Sequence, residues 1–216
     1  MTSIAIIGGT GKLGAAMARR LAKAGRQIII GSRSADSAER TAAELAHGAT
    51  GLTNVAAAAT GDIVIVTVPF AAQEATLAEI APHVSGKIVV DTTVPLMPPK
   101  VMRVQLPPEG SAAQRAQRIL GPDANLVSAF HNVAAHKLAT DADIGCDVLI
   151  FGDDKEARSK VVALAREMGL RGLHGGALAN AAASEAMTSV LIFINKTYQV
   201  DGAGLIITGP LTHADG

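Results

Sequence analysis

The chain has 216 residues, with 19 Lys and Arg balanced by 19 Asp and Glu, and 49% of it is apolar. Zero formal net charge argues against nucleic acid as the main partner, because phosphate binding needs a basic excess on some face. The length suits one large domain, or one domain with a small appendage, around a sizeable core.

Ser3–Ile7 (SIAII) reads as a short buried strand ending in glycine. Lys12–Ala24 follows with Leu13, Met17 and Leu21 at helical spacing, and Gly25 stands where a helix would stop. Gln27–Ile30 (QIII) is β-branched and reads as the second strand. Ala35–Ala46 reads as a helix. Leu52–Ala59 reads as a short connection and a short helix. Asp62–Val68 (DIVIVTV) carries the strongest strand signal, Pro69 stops it, and Ala71–Ile80 reads as a helix. Lys87–Asp91 (KIVVD) is another buried strand. Strands alternating with helices imply crossovers and a parallel sheet covered on both faces.

Val94–Gly110 holds five of the nine prolines, which excludes regular helix or central strand and predicts an ordered excursion loop. Ser111–Leu120 follows as a helix, then strands at Asn125–Ala129 and Asp147–Phe151. Asp154–Met168 is a helix with acidic residues in its first turn and Gly169 at its end. Leu170–Leu173 is a weak strand. Ser184–Tyr198 closes the folded part as a helix. Its stripe of Met187, Val190, Leu191, Ile194 and Tyr198, with Ile192 and Phe193 beside it, calls for burial on more than one side, and a partner subunit is one solution.

The turn after the first strand is Gly8-Gly9-Thr10-Gly11-Lys12-Leu13-Gly14. Gly9, Gly11 and Gly14 complete G-x-G-x-x-G between a strand and a helix, the context that motif requires. Gly9 permits the tight turn, Gly11 lets backbone approach a pyrophosphate, and Gly14 lets the helix lie close on the strand. The helix N-terminus then offers free N–H groups to that anion, and Thr10 adds a hydroxyl. At the end of the second strand, about twenty residues on, an acidic residue would hold the adenosine ribose of NAD. Ser32 and Arg33 stand there instead. A guanidinium grips a 2′-phosphate and stacks on adenine, so the expected cofactor is NADP(H). The competing reading leaves Arg33 as a solvated surface residue.

In an open parallel sheet the ligand lies beyond the carboxyl ends of the strands. Val68 and Pro69, Pro95, and His131 stand at three such ends, and the two prolines stiffen loops that would flank the nicotinamide. His131 reads as the catalytic candidate, a donor near a bound ring. His131 and His136 lie about 140° apart on a helix and no cysteine completes a set, so no metal is expected. Cys146 is the only cysteine, which rules out an internal disulfide. No basic, apolar and cleavable leader is legible after Met1, and the uninterrupted apolar runs fall well short of the ~20 residues that cross a bilayer. The expected location is cytoplasmic, without a membrane partner. The sole tyrosine, Tyr198, lacks a Tyr-x-x-x-Lys partner, so a strong general acid is missing. Hydride transfer between two stacked rings needs alignment more than acid–base groups.

The chain resembles the NADPH-dependent reductases of the deazaflavin coenzyme F420. The residues that carry the resemblance are IAIIGGTGKLG (Ile4–Gly14), GSR (Gly31–Arg33), TVPF (Thr67–Phe70), SAFHNVAA (Ser128–Ala135), VLIFGDD (Val148–Asp154) and LIFINKTY (Leu191–Tyr198). The resemblance implies a Rossmann-type, doubly wound, mostly parallel sheet with a small C-terminal helical or α+β extension. Residues 1–140 would be the NADP-binding domain and 141–216 the extension, or the two would form one continuous domain. It further implies that Thr10, Lys12 and Leu13 touch the cofactor, that Ser32 and Arg33 hold the 2′-phosphate, and that His131, Val133 and Ala135 lie near the meeting rings. The second substrate would be coenzyme F420 or a flavin, and the expected assembly is a homodimer. Two features depart from the family. Ser34, Ala35, Asp36 and Ser37 offer no second cation, which implies softer 2′-phosphate selectivity. His174–Leu178 (HGGAL) replaces an acid-x-Gly-Pro-Leu run. Two other functions fit the same turn: an NADP(H)-sensing module without catalysis, and a reductase of small imine or carbonyl substrates.

Overall fold

A computed structural model of the chain describes residues 2–45 and 47–211. Ala46, expected to close a helix, and His213 lie outside the described residues. The first half alternates β1 (Ser3–Ile7), α1 (Lys12–Lys23), β2 (Gln27–Ser32), α2 (Ala35–Leu45), β3 (Thr50–Thr53), α3 (Asn54–Thr60), β4 (Ile63–Val66), α4 (Phe70–Ile80) and β5 (Ile88–Asp91). The second half adds α5 (Ala112–Leu120), β6 (Asn125–Ser128), α6 (Ala135–Leu138), β7 (Asp147–Phe151), α7 (Lys155–Glu167), β8 (Arg171–Gly176) and α8 (Ala181–Tyr198).

All eight strands join one sheet in the order β3-β2-β1-β4-β5-β6-β7-β8. β1 to β6 pair in parallel. β7 meets β6 antiparallel through the single register pair Ser128–Phe151, and β8 then runs parallel to β7. The order reverses between β1 and β4, so helices feed away to both sides and leave a crevice at the carboxyl edge. Alternate residues of the apolar strands serve two cores. Ile4, Ile6, Ile28, Ile30 and Ile65 pack with Met17 and Leu21 of α1. Ala5, Ile7, Val64, Val66 and Val89 pack with Leu77 and Ile80 of α4 and with Phe151. Burial on both faces explains why these strands show continuous apolar runs rather than alternation.

Helix ends follow local chemistry. α1 and α7 both stop in a Schellman motif. The Gly25 and Arg26 N–H groups donate to the Ala22 and Leu21 carbonyls, and the Gly169 and Leu170 N–H groups to those of Arg166 and Ala165. The left-handed φ of +84° at Gly25 and +77° at Gly169 requires glycine. Ser111 and Asp154 cap α5 and α7 through the Gln114 and Ala157 N–H groups.

Three expectations change, and one helix, α6, is additional. β3 was read as part of a connection. It is a half-exposed edge strand without an apolar pattern, and Gly51 lets α2 lie on it: a Cβ there would sit 2.2 Å from the Glu39 amide nitrogen. The four-residue α6 is too short to show a period. β8 runs on to Gly176. In α8 the buried residues are Ala181, Ser184, Glu185, Ser189 and Leu191, while Val190, Phe193 and Tyr198 of the expected apolar surface are 41%, 52% and 72% exposed. By length and composition alone Leu178–Tyr198 matches a membrane span. Its polar row is nevertheless bonded into the fold: Ser184 Oγ donates to Asn132 Oδ1 at 2.6 Å and Ser189 Oγ to the Arg103 carbonyl at 3.2 Å.

Candidate active site

β1 runs directly into the glycine turn. Gly8 has φ +74°, and a Cβ on it would lie 2.8 Å from Val68 Cγ1. The Gly9 N–H faces the Ile6 and Gly31 carbonyls at 3.1 and 2.9 Å, which ties the turn to the end of β2. A Cβ on Gly14 would lie 2.6 Å from Thr67 Oγ1 and 2.8 Å from Gly9 Cα, so α1 reaches β1 only because that atom is missing. Around Gly11 such an atom would meet only the Gly8 carbonyl, at 3.3 Å. Thr10, Gly11 and Lys12 are exposed and Leu13 half-buried. α1 begins with no side-chain cap and no acidic residue in its first turn. Its leading N–H groups and positive dipole end therefore face outward, as an anion requires. The cradle and the donor set fit a dinucleotide's pyrophosphate.

Asn54, 5% exposed at the start of α3, accepts the Gly8 N–H at 3.3 Å and braces the turn from the β3 side. Sequence reasoning missed it, because nothing local distinguishes an asparagine after TGLT. At the end of β2, Ser32 is buried and Arg33 exposed, with Ser32 Oγ accepting the Ser34 N–H at 3.4 Å. Both follow directly from the strand that the turn is bonded to.

The ends of β4 and β5 are pinned to their neighbours. Thr67 Oγ1 donates to the Ile7 carbonyl at 2.9 Å and Thr92 Oγ1 to that of Val66 at 3.0 Å. Pro69 caps α4 in extended geometry. After β6 the chain crosses from one core to the other. Phe130 takes φ +66°, costly for an aromatic residue. The His131 ring lies 6.3 Å from the Phe151 ring of the second core, whereas Val133 packs on the first. Ala135 opens α6, which rests on α1.

His131 is 6% exposed; its Nε2 shares a 2.8 Å hydrogen bond with Ser128 Oγ and its Nδ1 has no protein partner. Burial pushes its pKa down to about 3, so the ring is neutral near pH 7 and acts as a fixed hydrogen-bonding group rather than a proton donor in the imidazolium form. Thr188 Oγ1 contacts the His131 carbonyl at 3.1 Å, and Asn132 Nδ2 donates to the Ser184 carbonyl at 3.0 Å, so α8 holds this crossing in place. Two carboxylates lie behind the same edge, Asp91 and Glu185, each 1% exposed. Desolvation pushes both upward, Glu185 to about 7. No motif announced either. A cleft of about 740 Å³ between Gln117, Arg118, Pro122, Asp153 and Leu178 opens at the other end of β6. Three strand ends and a bare helix terminus converge at the carboxyl edge instead. No group of three or more potential metal ligands occurs among the described residues.

Comparison with known proteins follows the same line. The family model described as "NADP oxidoreductase coenzyme F420-dependent" matches residues 3–95. The F420-dependent NADP reductase of Methanocaldococcus jannaschii is 38% identical to this chain over 95% of it and 97% of the relative. That of Methanothermobacter thermautotrophicus is also 38% identical, over 95% and 94%. A crystal structure assigned to an F420-dependent NADP-reductase of Arthrobacter sp. FB24 superposes with a TM-score of 0.86 at 25% identity, covering 97% of this chain and all of that one.

Proposed function

The chain belongs to the family of coenzyme F420-dependent NADP oxidoreductases, and from that premise we propose how its residues carry out the reaction. It is an oxidoreductase that moves a hydride between NADP(H) and the deazaflavin coenzyme F420. The observation that carries the reading is the uncapped start of α1, cradled by Gly9, Gly11 and Gly14 and bonded to the strand that ends in Ser32 and Arg33.

Lys12 and Leu13 hold the pyrophosphate through backbone N–H groups, Gly11, whose own N–H is bonded to the Gly8 carbonyl, leaves room for its approach, and Thr10 adds its hydroxyl. Ser32 and Arg33 take the 2′-phosphate. Val68 and Pro69 form one wall for the nicotinamide, and Val133 and Ala135 the other side of the ring pocket. His131, kept neutral and oriented by Ser128, offers a hydrogen bond near the reacting rings and excludes water by its own burial. When bound, the nicotinamide supplies the hydride or accepts it. The protein's task is alignment, which is where most of the rate of such a transfer originates. A flavin is the alternative acceptor. Residues 141–216 serve as an extension packed on the dinucleotide-binding part. We further propose a homodimer through the exposed face of α8, and a cytoplasmic location, which cell fractionation checks.

Calorimetry tests the cofactor assignment. NADPH should bind more tightly than NADH, and Arg33→Ala should weaken NADPH by about ten- to a hundredfold, the range for hydrogen bonds to a charged group, while leaving NADH nearly untouched. Equal affinities in the parent protein would remove the 2′-phosphate site. Loss of deazaflavin absorbance on mixing with NADPH tests the reaction. Binding without turnover of F420, FMN or FAD would leave a sensor.

A further inference from the structure

Asp91 ends β5 with its carboxyl group 1% exposed, where an apolar residue would fill the space at less cost. Every partner it has is a donor. The Thr93 N–H and Oγ–H reach its Oδ1 at 3.1 and 2.6 Å, and Gln73 Nε2 reaches its Oδ2 at 2.6 Å. Gln73 lies on α4 and is itself fully buried; its Nε2 also contacts the Ala112 carbonyl at 3.1 Å, and its Oε1 accepts Arg115 Nε at 3.0 Å. Arg115 on α5 then donates to the Phe70 carbonyl at 3.0 Å and lies 4.0 Å from the centre of the Phe70 ring. From α8, Glu185 accepts the Ala112 and Ala113 N–H groups at 2.7 and 3.0 Å, which fixes the first turn of α5.

The chain of bonds thus starts at Thr93, two residues before Pro95, and ends at Phe70, next to Pro69. It links the two loops that face each other across the expected nicotinamide position. It touches neither the pyrophosphate turn nor Arg33. We propose that Asp91 is a positioning residue for hydride transfer: through Gln73 and Arg115 it holds the loops bearing Pro69 and Pro95 at a set separation on either side of the ring. This rests on placing the nicotinamide at that edge, as proposed above. A fully satisfied buried network of this kind fixes one geometry, and a partly satisfied one does not. A displacement of ~1 Å at a reacting ring costs about a hundredfold in rate.

Asp91→Asn keeps the size but sets an N–H2 group against either Gln73 Nε2 or the Thr93 N–H. The full-length variant should lose about ten- to a hundredfold in kcat with F420, with the NADPH dissociation constant within threefold of the parent. Gln73→Glu combined with Asp91→Asn restores acceptor against donor between the two side chains and keeps an acceptor for Arg115, leaving only the Ala112 carbonyl without its donor. It should regain most of the lost kcat. An unchanged kcat in Asp91→Asn overturns the proposal. So does a double variant no better than the single one, or a loss of NADPH affinity in proportion to kcat, which would mark a merely structural role. Should Asp91→Asn fail to fold, Arg115→Gln at the half-exposed end of the chain carries the test, with a three- to tenfold loss of kcat expected and no loss refuting the idea. Should the parent reduce neither F420 nor flavin, the functional reading falls separately. The emission of bound NADPH then decides: a shift in Asp91→Asn at unchanged affinity supports the positioning role, and an identical spectrum overturns it.

Discussion

His131 and Glu185 are buried on the same side of the sheet, and their ionisation acts on stability with opposite signs. Folded His131 resists protonation down to about pH 3, whereas in the unfolded chain it titrates near 6.5. The unfolded state therefore holds the extra proton in that window, and the fold gains stability as pH rises through it. Folded Glu185 keeps its proton up to about pH 7, against 4.5 when unfolded. The folded state now holds the extra proton, and stability falls as pH rises from 4.5 to 7. Asp91, also raised, tilts the same way as Glu185. Each group is limited to about 1.4 kcal/mol per pH unit, so His131 and Glu185 largely offset each other between 4.5 and 6.5. Glu185→Gln removes one of the two. Scanning calorimetry should then show a Tm that climbs with pH over this range more steeply than in the parent; parallel profiles would refute the assignment. The glycine turn was legible in the sequence because its geometry demands glycine at each of three fixed spacings. Asp91, Gln73, Arg115 and Glu185 were not, because they meet only through folding, and a buried carboxylate leaves no local pattern.

Among the elements, the strands were the most readable. β1, β4 and β5 are apolar at every interior position because helices cover both sides of them, though β4 ends at Val66, two residues short of the expected Val68. β3 failed the same criterion because an edge strand has only part of a face to bury. α8 was read from its apolar stripe, but the fold uses the opposite device. Ser184, Glu185 and Ser189 turn inward to the Asn132 side chain, the Ala112 and Ala113 N–H groups and the Arg103 carbonyl, and Val190, Phe193 and Tyr198 are left outside. Phe193 and Val190, 52% and 41% exposed, therefore form a surface that a second copy would cover. Phe193→Glu should shift sedimentation from dimer to monomer with the far-ultraviolet circular dichroism unchanged. A parent that already sediments as a monomer would remove the proposed dimer.

At the scale of the whole molecule, the doubly wound order places the glycine turn, Ser32 and Arg33, Val68 and Pro69, and His131 after the carboxyl ends of β1, β2, β4 and β6. The part after residue 140 is attached differently. Only Ser128–Phe151 pairs β6 with β7, so side chains do most of the joining. Arg20 donates to the carbonyls of Leu138, Thr140, Ala142 and Met168. Arg26 grips Glu167 with both nitrogens. Along this line the protein is bolted rather than woven. Two arginines supplement the single ladder pair and the shared cores there, and the Arg26–Glu167 ion pair weakens in salt where backbone ladders do not. Amides of β7 and β8 should then exchange with deuterium sooner than those of β1 and β4, and molar salt should widen the gap. Uniform protection across all eight strands would show the seam to be as strong as the rest.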